Sequence, residues 1–183
     1  MSSILKNINH KFTKIDVCSI IVTYQIDLNK FIKILKGHKE NFQQIIIVNN
    51  SPQIDFSQFQ SKHVTLMSNS GNIGLSSALN VGIKEAKRLG FKMVALFDQD
   101  TELPLSFMQK MLKSINNYEA TKPVAGYSPV FHNHVIDETA KHINFKPFRL
   151  ERGPVDDSDY AHPHYVITSG SMISSITSGS MTS

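Results

Sequence analysis

Four short, uninterrupted apolar runs constrain this chain more than any other feature. They are VCSIIVT at 17–23, IIIV at 45–48, HVTLM at 63–67 and KMVALF at 92–97. Runs of this length, rich in β-branched residues and closed by polar turns, read as buried strands. Helical patterns stand between and after them. Asp27 offers an N-cap before Leu28, Phe31, Ile32 and Leu35. Leu75, Ala78, Leu79, Gly82, Ile83, Ala86 and Leu89 share one helical face, which Gly90 ends. Leu105, Met108, Met111, Leu112 and Ile115 mark a third helix, with Pro104 in its first turn. Strands alternating with helices predict an α/β sandwich around a mostly parallel sheet, and continuous apolar strands predict cover on both faces. Ligands of such sheets bind beyond the carboxyl ends of the strands. The polar residues at those ends are Thr23 and Tyr24, Asn49 and Asn50, the stretch 69–74, and the stretch 98–100.

Length and composition narrow the class. A chain of 183 residues can bury a real core, since about 150 residues already hide roughly two-thirds of the unfolded surface. The length points to one domain rather than two. With 40% apolar and 19% charged residues the composition is globular. The net charge of +4 is spread along the chain, which fits an anionic ligand or an anionic membrane surface and is too weak to argue for nucleic acid. Cys18 is the single cysteine, so neither an internal disulfide nor a cysteine-based zinc site is available. Residues 1–16 read as a polar leader without the apolar stretch of a signal peptide, and no apolar run approaches the roughly 20 residues of a membrane helix. The expectation is a cytoplasmic protein.

After Val130 the pattern weakens. Five of the eight histidines and three prolines fall in 131–165. VIT at 166–168 reads as one more strand. ITSGSM occurs at 167–172 and again at 176–181; two copies do not make a solenoid, and 176–183 is taken as a low-complexity tail. His132 and His134, and His162 and His164, are each two apart, but no third ligand stands at useful spacing, so both pairs read as polar loop residues.

The sharpest chemical signal is FDQD at 97–100. Two carboxylates two residues apart, just past a buried strand, can share a divalent cation. A nucleoside diphosphate leaving group needs such a cation, because charge builds on it as the glycosidic bond breaks. Alone, the pattern also suits a solvated turn. Its context is NIGLSSALNVGI at 72–83, which joins a loop to a helix. Gly74 permits a sharp turn or a close backbone approach, and the helix amino end that follows favours phosphate. Asn80 lies mid-helix, where asparagine is unfavourable unless it bonds specifically or faces a site; the plainer alternative makes Asn80 a surface residue and Gly82 a packing residue.

The order VTY, VNNS, N-x-G-x-x-x-A-x-N-x-G-I and a strand ending in D-x-D resembles the amino-terminal half of family 2 glycosyltransferases. The DQD form and the later ITSGS are most similar to the rhamnosyltransferase group. The match runs over about 17–174, and 17–175 is assigned as the nucleotide-sugar-binding domain. The resemblance implies a GT-A-type, Rossmann-like sandwich, incomplete at its carboxyl end. It implies inverting transfer of a sugar, such as rhamnose or another deoxyhexose, from a nucleotide-diphosphate donor. The acceptor would be a saccharide or lipid-linked molecule in cell-surface polysaccharide synthesis. Thr23 and Tyr24 would line the nucleobase pocket, and Asn49 and Asn50 would contact the base. Asn72 and Gly74 would shape the loop over the nucleoside, and Asn80 would support the donor site. Asp98 would approach the ribose or the metal shell, and Asp100 would bind Mg²⁺ or Mn²⁺ with the diphosphate. Ser169 and Gly170 would lie near the sugar and acceptor. Peripheral association with the inner face of the cell membrane is a further expectation.

The sequence departs from the family pattern in three places. Asn49 replaces the usual aspartate, which would change base contacts because an amide donates as well as accepts. Leu79 stands where many relatives carry arginine. After Ser169, Gly170 and Ser171 no Gly-Phe-Asp-Glu-like segment follows, so the acid that would deprotonate the acceptor is not identified. A second reading is therefore a truncated module that binds nucleotide sugar without transferring it. That reading expects Val166, Ile167, Met172, Ile173 and Ile176 to form an open strand prone to self-association. Sugar transfer at full rate would contradict it and would make one of Asp156, Asp157 or Asp159 the base. A haloacid-dehalogenase-type phosphatase is excluded because Thr101 follows Asp100 directly and the motif follows the fourth strand. A dinucleotide-binding dehydrogenase is excluded because no G-x-G-x-x-G follows any strand.

Overall fold

The computed structural model describes residues 11–119, 124, 126–129, 132–133, 138–139, 143–146, 149–152 and 169–174. The stretches 1–10, 166–168 and 176–183, and Asp156, Asp157, Asp159, His134, His162 and His164, lie outside the described residues.

Each apolar run forms a strand. In chain order the elements are β1 (Val17–Thr23), α1 (Leu28–Asn41), β2 (Ile45–Asn49), β3 (Val64–Ser68), α2 (Leu75–Arg88), β4 (Met93–Phe97) and α3 (Phe107–Asn117), then β5 (Gly126–Tyr127). Two short antiparallel pairs follow, β6 (His132–Asn133) with β7 (Glu138–Thr139) and β8 (Ile143–Lys146) with β9 (Arg149–Arg152), before β10 (Ser171–Ser174). Six strands form one sheet in the order β3-β2-β1-β4-β10-β5. The first four are parallel to one another, and β10 runs antiparallel to both β4 and β5. This is the mixed α/β architecture, mostly parallel, that the alternation predicts.

The side-chain alternation of β1 divides the core. Val17 and Ile21 join Phe31 and Leu35 of α1 and Met108, Met111 and Ile115 of α3 on one face. Cys18, Ile20 and Val22 join Ala78, Leu79, Ile83 and Ala86 of α2 on the other. Burial pushes the Cys18 thiol well above its ordinary range, so it stays protonated and inert within the core. On the first face Ser19 is fully buried and is met by His38 of α1, with Oγ and Nδ1 3.0 Å apart.

Helix α2 lies close to the sheet because Gly82 has no side chain. A Cβ there would sit 2.7 Å from Ile20 Cγ2 and 3.2 Å from Val48 Cγ2. Gly82→Ala gains helix propensity of about 1 kcal/mol but forces branched side chains on two strands to move. Overpacking of this kind costs about 1–3 kcal/mol. A net loss of stability in urea denaturation is the expected result; a stabilised variant would show that the sheet yields freely.

The structure corrects several sequence expectations. Asp27 caps α1 as expected, accepting from the Asn29 backbone at 2.8 Å. Pro104 and Leu105, however, precede α3: its first residue is Phe107, and Leu105 is 77% exposed. Ile32, Leu75 and Leu89 fit helical spacing but are exposed at the margins of their buried faces. Of the residues expected in an open strand near the carboxyl end, Met172 and Ile173 lie instead in β10, inside the sheet, while Val166, Ile167 and Ile176 lie outside the described residues. β10 bonds to β4 on one side and β5 on the other, and Met172 is completely buried.

Candidate functional site

The carboxyl ends of β1, β2 and β4 and the loop leading into α2 enclose an open cleft of about 480 Å³. By element the lining divides into a β1, β2 and α2 end, with Val22, Tyr24, Asn50, Asn72, Gly74 and Leu75, and a β4 end, with Asp98, Gln99 and Asp100.

The first end is shaped by asparagines. Asn50 is 2% exposed, and its Oδ1 accepts from Asn69 Nδ2 at 2.7 Å. Its Nδ2 has only long contacts, 3.4 Å to Asn72 Oδ1 and 3.5 Å to the Gly74 carbonyl, which leaves donor capacity directed at the loop. Asn72 Oδ1 accepts the Gly74 N–H at 2.9 Å and so closes a tight turn. Gly74 has φ +82 and ψ 160, a conformation reserved almost entirely for glycine, and it is the residue from which α2 starts. The amino end of α2 therefore opens into the cleft. Gln25, next to Tyr24, holds φ +51 without being glycine. Its N–H donates to Ser51 Oγ at 2.7 Å, which offsets part of the strain.

The second end is the turn that follows β4. Asp98 and Asp100 are both exposed. Partial burial raises Asp98 above its ordinary range, the neighbouring Asp100 charge adds to this, and a hydrogen bond with Ser169 opposes it. Two carboxylates that repel each other beside a cleft have a chemistry that suits sharing a cation. Among the described residues no group of three or more His, Cys, Asp or Glu could hold a metal alone. Mg²⁺ or Mn²⁺ bound by one or two carboxylates takes its remaining oxygens from substrate phosphates and water, so this donor set fits a cation that arrives with a diphosphate.

Other residues singled out in the sequence fall elsewhere. Thr23 is fully buried and does not line the cleft. Strand parity explains this: Val22 shares the α2 face with Cys18 and Ile20, whereas Thr23 points the other way. Asn49 is 2% exposed and its amide closes the turn after β2, with Oδ1 accepting from Ser51 N at 2.8 Å and Nδ2 donating to the Ile54 carbonyl at 3.0 Å. Both ends of the amide are thus spent on local backbone rather than on the cleft. Asn80 is half-buried on α2, outside the cleft lining. Ser169 braces the acidic turn. Its Oγ lies 2.6 Å from Thr101 Oγ1 and accepts from the Asp98 N–H at 3.4 Å. Gly170, at φ +80, donates its N–H to the Leu96 carbonyl at 2.7 Å, and a Cβ there would meet Pro129 Cγ at 2.9 Å. Sequence reasoning missed Val22, Leu75 and Gln99 as lining residues. The signal for Gln99 was present, since it stands between the two aspartates.

Asn49→Asp follows from this geometry. Aspartate keeps the bond to Ser51 but loses the donor to Ile54 and sets a carboxylate against that carbonyl. A buried group left unmatched costs about 1–3 kcal/mol, more when charged. The expected result is a lower urea midpoint at unchanged slope. Unchanged stability with altered nucleotide preference would return Asn49 to the cleft.

Comparison with known proteins places this geometry. The model of the family described as Glycosyl transferase family 2 matches residues 19–175. The chain is 26% identical over 129 residues to the dTDP-rhamnosyl transferase RfbF of Shigella flexneri, covering 69% of this chain and 41% of that protein. It superposes on the crystal structure of S. aureus TarS 1-349 with a TM-score of 0.55 at 13% identity, covering 87% of this chain and 47% of the other. It thus spans less than half the length of either relative. The match over 19–175 takes in every strand of the six-stranded sheet except the start of β1, together with both acidic residues of the cleft, and the chain belongs to glycosyl transferase family 2.

Proposed function

We propose that the cleft binds the nucleoside diphosphate part of a sugar donor. The chain is then the donor-binding portion of an inverting glycosyltransferase that passes a deoxyhexose such as rhamnose to a saccharide or lipid-linked acceptor. The observation that carries this reading is the pairing of Asp98 and Asp100, at the end of β4, with the amino end of α2 in one cleft. Similarity to RfbF, a dTDP-rhamnosyl transferase, supports a thymidine donor carrying rhamnose.

In this reading each side chain has a separable task. Tyr24, 43% exposed, offers a ring face for the base, and Asn50 offers an amide donor beside it. The Gly74 conformation lets the loop backbone approach the ribose and phosphates, while the amino end of α2 favours their negative charge. Asp98 and Asp100 would hold a divalent cation whose chemistry is to offset charge on the departing diphosphate. Inversion requires a base on the opposite side of the sugar. None of the residues described around the cleft is assigned that part. A chain that binds donor without transferring sugar is the alternative. Work at the inner face of the cell membrane, in cell-surface polysaccharide synthesis, is part of the proposal. No helix among the described residues is long and apolar enough to cross a membrane.

Calorimetric titration with dTDP, UDP and GDP, each with and without Mn²⁺, tests the reading. A diphosphate that binds with Mn²⁺ and much more weakly without it is expected. It should also stabilise the fold by about 2.7 kcal/mol at a hundred times its Kd. Failure of all three to bind in the presence of Mn²⁺ would overturn the assignment.

A further inference from the structure

Gln99 stands between the two aspartates after β4, yet its side chain bonds to the residue that follows β1. Its Oε1 accepts the backbone N–H of Tyr24 at 2.7 Å. The parallel ladder between β1 and β4 runs from Val17 opposite Met93 to Ile21 opposite Phe97 and stops there. Continued, the register would bring Thr23 level with Gln99, but the chain turns after Phe97 and the backbone acceptor is lost. The Gln99 amide oxygen supplies an acceptor in its place. The same turn is held from its other side, where Ser169 Oγ lies 2.6 Å from Thr101 Oγ1. Tyr24 needs such a hold, because the next residue, Gln25, is kept at φ +51. Tyr24 and Gln99 both line the cleft, so the bond joins its two ends.

We infer that Gln99 is a positioning residue which couples the two ends of the donor cleft, fixing the Tyr24 wall and the acidic turn relative to each other. The inference rests on the donor-binding reading above. When one end is filled, the bond carries the ordering to the other, so that base and metal-bound diphosphate are each bound better in the presence of the other. Glutamine suits this task because its neutral oxygen accepts an N–H without adding charge to a site that already holds two carboxylates.

Gln99→Met keeps the length of the side chain and removes the acceptor; Gln99→Glu keeps an acceptor. Two readouts separate positioning from a merely structural role. The first is hydrogen exchange of the Tyr24 amide, followed by NMR in the ligand-free protein. It should be protected in the wild type and in Gln99→Glu, and should exchange at least tenfold faster in Gln99→Met. The second is the ratio of dTDP affinities with and without Mn²⁺, by calorimetry. Gln99→Met should reduce that ratio several-fold, while the urea midpoint changes little. Wild-type binding with an unchanged ratio in Gln99→Met, or unchanged Tyr24 exchange, overturns the inference and leaves the donor reading standing. Absence of diphosphate binding by the wild type overturns the donor reading and the coupling with it.

Discussion

Replacing Asp100 with alanine is expected to abolish the metal-dependent part of nucleoside diphosphate binding while leaving the fold intact. Asp100 is exposed, beyond the last paired residue of β4, and outside both hydrophobic clusters. Surface substitutions of that kind usually change stability by about 0.5 kcal/mol or less. The loss of binding should be far larger. Substitutions of residues that merely support metal ligands already cost about 10–100-fold in affinity. Here one of the two carboxylates proposed to hold the cation would go, and the remaining one, Asp98, would face the diphosphate with less cation to offset the repulsion. Titrating Mn²⁺ into the variant with dTDP present, beside an equilibrium urea curve, separates the two effects. Metal enhancement at wild-type strength in Asp100→Ala would remove Asp100 from the site.

The second large effect is on stability below neutral pH, and it comes from His38. The ring is fully buried between Ser19, Phe42 and Phe97, with its centroid 4.7 Å from that of Phe97. Burial pushes its pKa down from 6.5 to about 4; the Thr101 backbone beside it favours the charged form but is outweighed. Nε2 nevertheless has no partner within good hydrogen-bonding geometry, so this help is slight. The sign follows from proton uptake. Between pH 6.5 and about 4 the unfolded chain holds the proton that the folded chain refuses. The stability contributed by the neutral ring is therefore complete above pH 6.5 and is lost as pH falls toward 4. The loss amounts to about 2 kcal/mol by about pH 5 and about 3 kcal/mol by about pH 4, because one proton refused across one pH unit is worth about 1.36 kcal/mol. His38→Gln keeps a group able to meet Ser19 but cannot titrate. Its stability should be lower at pH 7 and flatter with acid, so that the two curves converge. Parallel curves for wild type and variant would show that His38 is not the group responsible.

The position of His38 links this effect to the cleft. Thr101, whose backbone lies beside the ring, is the residue whose hydroxyl meets Ser169 under the acidic turn.

Much of this could be read in the chain itself, and the reasons for success and failure are physical. Strands β1, β2 and β4 are buried on both faces, so Val17 to Val22, Ile45 to Val48 and Met93 to Phe97 are almost uniformly apolar and stand out. The helix margins were less legible. Ile32, Leu75, Leu89 and Leu105 carry the right side chains at the right spacing, but spacing alone does not say where a neighbouring surface ends. The interior place of β10 was hidden because it depends on pairing with β4 and β5, far away in sequence. Asp98, Asp100, Asn50, Asn72 and Gly74, picked out by the motifs they form, line the cleft. Thr23 was misplaced by one residue of strand parity, and Asn49 by a turn whose closing bonds a linear reading does not show. Gln99 was overlooked because its role depends on where β1 and β4 stop pairing, a property of the folded sheet.

The central claim is that the acidic turn and the loop before α2 hold one metal-bound nucleoside diphosphate between them. Paramagnetic broadening by Mn²⁺ with dTDP, compared with Mg²⁺ and dTDP, tests it most directly on the amides of the isotope-labelled chain. Broadening centred on Asp98, Gln99 and Asp100 and extending to Asn72, Gly74 and Leu75, with no such focus when dTDP is omitted, is the result expected. Broadening that spares these residues, or that is the same without the nucleotide, would contradict the account.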